Sequence, residues 1–262
     1  MKKFFNVLGA LFGIPILLYI LLEIGNLIVL KSYMYIHHIN KSTLTISSVH
    51  KILEPRIYLG SIIGEGLLVA MLIIIYLPAK ESLIKRCKFK KFDKRKIPVI
   101  ISLVLSLNFL SIVFIKYAQN HVTSYKNVEH NMSFMYSDIF ILLGSIFIIP
   151  IFEEIIFRGA ILGTLKRNLN VIVALILQAI IFAVMHGNLL QGIYTFILGI
   201  IVGLAYLYTK SMWGDILCHM TYNLFGLLIL PIMAYMYFNY IVYGAIGIIL
   251  LIISFVLFKK IR

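Results

Sequence analysis

The chain has 262 residues, 61% of them hydrophobic and 13% charged, with a mean hydropathy of +1.00 and a formal net charge of +14. Apolar runs of around 20 residues recur along the whole length, which excludes an ordinary soluble domain, and their unbroken apolarity excludes the alternating strands of a membrane barrel. Fold class is therefore an all-α polytopic membrane protein, and two cysteines, Cys87 and Cys218, argue against a structural disulfide.

Eight spans are predicted, over 4–30, 57–78, 97–115, 136–164, 170–187, 189–208, 212–230 and 232–258. Met1-Lys2-Lys3 before a long apolar stretch resembles a signal peptide. Its apolar region is too long and lacks a small-x-small end, so it reads as an uncleaved first helix. Three regions follow: 1–135 with three helices and the basic loop 79–96, a core of four helices over 136–230, and 231–262 with the last helix and a basic tail. The boundary at His186-Gly187-Asn188 is tight enough to force a hairpin between the fifth and sixth spans. Gly60-x-x-x-Gly64 and Gly199-x-x-x-Gly203 suit close helix approach and carry no function by themselves.

With the N-terminus inside, the cytoplasmic segments, counting Arg158 with them, hold 18 basic residues and the opposite side 6. Both termini are then expected to be cytoplasmic in a cell membrane, and the Ile, Lys and Asn usage points to a bacterial source. The basic loop 79–96 reads as a topogenic segment lying against anionic headgroups, so membrane lipids are expected partners and nucleic acid is not.

The fourth span carries Glu153, Glu154 and Arg158 inside an apolar run, each costing ~2.5–3.5 kcal/mol on insertion scales. On a helix, Glu154 and Arg158 pair at i, i+4, while Glu153 points about 100° away and is left for other work. Further on stand Phe182 and His186, sharing a face at i, i+4, and then His219 and Asn223, also one turn apart. Glu153 lies 15 residues before the turn near Asn168 and His186 lies 18 after it, a depth mismatch of only ~5 Å. His219 sits 9 residues beyond Lys210, nearer the cytoplasmic face. Cys218 reads as a packing residue. Glu23 and Glu65 are further membrane carboxylates that could pair with another helix or line the cavity, and neither is assigned. Asp138 and Asp215 read as acids near helix N-termini, and His37, His38, His50, His121 and His130 as loop histidines.

In order, EEIIFRG, FAVMH and HMTYN resemble the EExxxR, FxxxH and HxxxN motifs of the CAAX-protease and bacteriocin-processing family, also called Abi. The resemblance covers roughly 136–230. It implies an intramembrane endopeptidase of CAAX type acting on a membrane-associated peptide or lipidated protein near the cytoplasmic side. Family members divide between CAAX processing, maturation of peptide pheromones or bacteriocins, and bacteriocin immunity. A low-GC bacterial source favours the last two. Glu153 and His186 would activate a water, His219 and Asn223 would hold the oxyanion, and Glu154 with Arg158 would lock the helix. A metalloprotease version would place Zn on Glu153, His186 and His219, although the chain lacks His-Glu-x-x-His, and the metal question stays open. Two other readings use the same residues: a non-enzymatic scaffold or immunity protein that binds a peptide or sensor partner, and an ion-coupled transporter. The transporter is disfavoured because no inverted repeat relates the halves.

Overall fold

A computed structural model describes residues 1–79, 81–122, 125, 126, 133, 135, 136 and 138–261. Lys80, His130 and Arg262 lie outside the described residues. The bundle consists of α1 (Lys3–Ile36), α2 (Ile46–Tyr76), the short α3 (Leu83–Cys87), α4 (Lys94–Ala118), α5 (Ile139–Asn168), α6 (Val171–Met185), α7 (Leu189–Thr209), α8 (Met212–Met236) and α9 (Tyr240–Ile261). Seven of these are long and apolar enough to cross a membrane, and the chain is an all-α polytopic membrane protein. The fifth expected span, α6, has 15 residues and is about 22 Å long, short for a crossing. It is supported by α7, to which it is joined through Gly187 at φ +67 and the N-cap of Asn188, whose side chain accepts from Gln191 N. The tight hairpin is present.

Three of the long helices share a device that follows from proline. Pro15, Pro150 and Pro231 each come two residues after a stretch whose backbone bonds run from i to i+5: Gly9–Gly13, Gly144–Ile148 and Phe225–Ile229. A proline inside a helix has no N–H to give, and its ring crowds the carbonyl one turn back. Widening that turn relieves the crowding without breaking the helix. A fourth wide stretch, Ile155–Leu162, contains Arg158.

Close approach of helices is set by glycine where a side chain would meet backbone. A Cβ on Gly64 of α2 would come within 2.6 Å of Leu21 O on α1, so the Gly60/Gly64 stripe is what lets those helices touch. Gly159 of α5 plays the same part toward the basic loop. There, α3 inserts Leu83 and Cys87, each 1% exposed, and a Cβ on Gly159 would meet Cys87 Sγ at 2.5 Å. Gly159→Val is therefore expected to lower stability by about 1–3 kcal/mol through overpacking. Thermal unfolding in detergent would show it, and an unchanged midpoint would contradict this account of the glycine.

The basic loop is thus more than a charged strip against headgroups. Its backbone is bonded to the ends of neighbouring helices: Met212 N donates to Lys88 O (3.2 Å), Tyr206 OH to Arg86 O (2.8 Å), and Ser211 Oγ to Lys90 O. Lys96 Nζ donates to Tyr208 O (2.7 Å), and Arg167 pairs with Glu81. The start of α1 packs on 163–168, and Phe258 near the end of α9 meets Tyr208. The five basic segments, 1–3, 79–96, 165–169, 209–211 and 259–262, therefore gather in their described residues at one end of the bundle.

Candidate active site

The EEIIFRG stretch of α5 is the hub of the bundle. Glu154 and Arg158 are both fully buried, and Arg158 Nη1 donates to Glu154 Oε1 at 2.9 Å. The guanidinium also donates through Nη2 to Gly199 O of α7 at 3.2 Å and lies 5.0 Å from the centre of the Phe182 ring on α6. Gly199 has no side chain to block the carbonyl, and a Cβ there would press on Ala179 at 3.1 Å. Glu154 Oε1 is shared: His219 Nδ1 of α8 lies 2.6 Å away. One ion pair thereby ties α5 to α6, α7 and α8. Glu154 Oε2 and Arg158 Nε have no hydrogen-bond partner among the described residues, so the buried pair is held through Glu154 Oε1 and the two Nη groups alone.

Glu153, the next residue before Glu154, turns the other way. Its side chain is 15% exposed, and Oε2 stands 3.5 Å from His219 Nε2. The imidazole of His219 thus bridges the two acids, its Nδ1 side held by Glu154 and its Nε2 side facing Glu153. His186 stands at the C-terminal end of α6, where helix carbonyls lack partners. Its Nδ1 is 2.8 Å from Phe182 O. A carbonyl can only accept, so the proton is on Nδ1 and the lone pair of neutral His186 is on Nε2. Phe182 is the wedge among these groups, with ring centres 4.8 Å from His186, 5.9 Å from His219 and 4.9 Å from Phe157.

Asn223 is placed by the proline device of α5. Ile149 N bonds to Gly144 O, one residue further back than in an α-helix. In that register the residue due to serve Ser145 O is Pro150, which has no N–H. Asn223 Nδ2 supplies the missing donor at 2.9 Å and so fastens α8 to α5. One amide N–H remains for other use. Asn223→Ala is expected to cost about 1–3 kcal/mol by leaving that carbonyl unserved. In a Pro150→Ala background, which restores a backbone N–H, the cost should shrink. A double-mutant cycle on unfolding midpoints measures this, and strict additivity would refute it.

Glu153, His186, His219 and Asn223 line one cavity of about 550 Å³, whereas Glu154 and Arg158 lie behind its wall. Two carboxylates join the picture that the sequence reading did not place there. Glu65 of α2 lines the same cavity, is 6% exposed, has no partner for Oε2 among the described residues, and is close enough to Glu153 to interact with its charge. Asp215 is in the first turn of α8, as expected, but is fully buried rather than interfacial, next to Glu154. Its i, i+4 relation to His219 was the available signal. Glu23 is exposed on α1 away from the cavity; Asp138 caps α5, accepting from Phe140 N at 2.8 Å. Cys218 is buried packing, and His37, His38, His50 and His121 are exposed.

Glu153, His186 and His219 are chemically suitable zinc donors. Among the described residues, however, no three His, Cys, Asp or Glu side chains stand close enough to share one metal ion, with His219 Nδ1 engaged by Glu154 and His186 Nδ1 by Phe182 O.

Comparison with known proteins falls on this same region. The family described as "Type II CAAX prenyl endopeptidase Rce1-like" matches residues 135–225. A Bacillus subtilis (strain 168) protein named "Putative membrane peptidase YdiL" is 34% identical over 76 residues, which is 29% of this chain and 31% of that relative. The match therefore spans about a third of the relative's length. No solved structure matches the chain. The matched stretch holds all three motifs and every one of the four cavity-lining polar groups that they contribute; over these residues the chain is similar to the Rce1-like, CAAX-protease and bacteriocin-processing family.

Proposed function

We propose that the protein is an intramembrane endopeptidase that hydrolyses a peptide bond with a water activated by Glu153. The observation that carries this reading is the meeting of Glu153, His186, His219 and Asn223, from three helices, in one cavity of an otherwise apolar bundle. Leu18, Leu22, Ile112, Ile149 and Leu198 of the same wall suit a peptide with apolar side chains or a lipid-modified end.

In this reaction the water donates one hydrogen bond to the Glu153 carboxylate and one to His186 Nε2, leaving an oxygen lone pair for the peptide carbonyl. As the C–O bond forms, Glu153 takes a proton. The oxyanion is held by a proton on His219 Nε2 and by the second amide N–H of Asn223, while Glu154 keeps the His219 ring in place through Nδ1. Collapse breaks the C–N bond, and the proton on Glu153 passes to the departing amine. A carboxylic acid and an amine result, one water is consumed, and Glu153 is restored.

The test is cleavage of a lipidated-peptide library by detergent-purified protein, with His186→Ala and a chelator alongside. Cleavage by the wild type that survives chelation and falls in His186→Ala is the expected result. Loss to the chelator with recovery on adding zinc would favour the metal version. Absence of cleavage by folded wild type across a broad library would overturn the peptidase reading in favour of a peptide-binding scaffold or immunity protein.

A further inference from the structure

We infer that the substrate reaches Glu153 from the end of the bundle opposite the basic loop, so that the enzyme cuts a translocated peptide on the outer face of the membrane. The inference rests on the peptidase reading for what happens at Glu153, but not for the direction of access.

The cavity's own residues give the direction. Lys116 lies in the last turn of α4, Gln191 in the first turn of α7, Ser61 near the outer start of α2's apolar part, and Tyr235 in the last turn of α8. The opposite end of each of these helices meets the basic face: Lys96 of α4 with Tyr208, Thr209 of α7 beside Ser211, Tyr76 of α2 against Thr164, and Met212 of α8 against Lys88. Every one of these cavity residues therefore stands at the end of its helix away from the basic segments.

Toward the basic face α5 is tightly packed below the cavity. One and more turns below Glu153, Phe157 is 2% exposed and Ile161, Leu162 and Leu165 are 0% exposed, backed by the buried Arg158. Depth agrees. Glu153 stands 15 residues from Asn168, at most about 22 Å from that end of α5, which is past the middle of a ~30 Å hydrocarbon core. The sequence alone suggests a bond cut near the cytoplasmic side; the cavity's position reverses that. Basic residues gather on the cytoplasmic side of a membrane protein, and the five basic segments gather at one end here. The cavity then opens outward.

Cysteine accessibility tests this directly, because the native thiols are silent. Cys87 and Cys218 are each 1% exposed, and burial pushes the Cys87 thiol up to about 12. Ser61→Cys, a near-isosteric change, and Gln191→Cys report on the cavity; Tyr235→Cys and Lys91→Cys report on the two faces. A membrane-impermeant maleimide is applied to intact cells and to inverted vesicles. The expected result is labelling of Ser61→Cys, Gln191→Cys and Tyr235→Cys from outside only, and of Lys91→Cys from inside only, with external labelling of Gln191→Cys blocking cleavage. Labelling of both cavity positions from inside only, from both sides alike, or from neither would overturn the inference, as would labelling of Lys91→Cys in intact cells. Labelling needs no catalysis, so Glu153→Gln should leave the pattern unchanged. Failure of access and failure of the peptidase reading are thus told apart.

Discussion

Glu153→Gln is expected to reduce peptide cleavage by about 10²–10⁴-fold while leaving the folded protein in place. The amide has the size of the carboxylate but cannot take the proton of the attacking water. Its side chain faces the cavity and is not part of the Glu154–Arg158 pair, so the bundle does not depend on its charge. The measurement is the initial rate on any library peptide the wild type cleaves, with the unfolding midpoint recorded on the same preparation. Retained cleavage in a folded Glu153→Gln protein would remove Glu153 from the reaction. Lost cleavage together with a large fall in midpoint would mean that Glu153 is structural instead, which its partial exposure argues against.

Arg158→Met should have the opposite signature, with stability falling first and activity following. Removing the guanidinium leaves Glu154 charged in the dry interior, with His219 as its remaining cationic or polar partner, and takes a donor from Gly199 O. Breaking a buried pair from one side costs about 3–5 kcal/mol, a large part of a membrane bundle's reserve. The double variant Glu154→Gln/Arg158→Met removes both charges and should recover part of that loss, since the uncompensated charge is the main penalty. Unfolding midpoints of the two single variants and the double variant decide it. A wild-type midpoint in Arg158→Met would show that the pair does not hold the helices together.

The two predictions separate acids that are adjacent in the chain, and that separation was partly legible in advance. Helical geometry alone sends Glu153 and Glu154 to different faces and brings Arg158 beneath Glu154. It does not reveal that His219 bridges both acids, because that contact joins residues 65 positions apart. Nor could Asn223 be read as the donor for Ser145 O before the wide turn ahead of Pro150 was known. Glu65 was visible as a costly membrane carboxylate, yet only the packing of α2 beside α5 places it in the cavity with Glu153.

Composition and hydropathy by themselves determined that this chain is a helical membrane protein, where its helices run, and which few polar residues must be compensated, because the bilayer penalises each exposed polar group within its own segment. Which polar groups meet, what they donate to one another, and toward which end their cavity opens were decided by tertiary structure alone. Those depend on helix rotation, proline-widened turns and glycine contacts between distant segments, to which local hydropathy is blind.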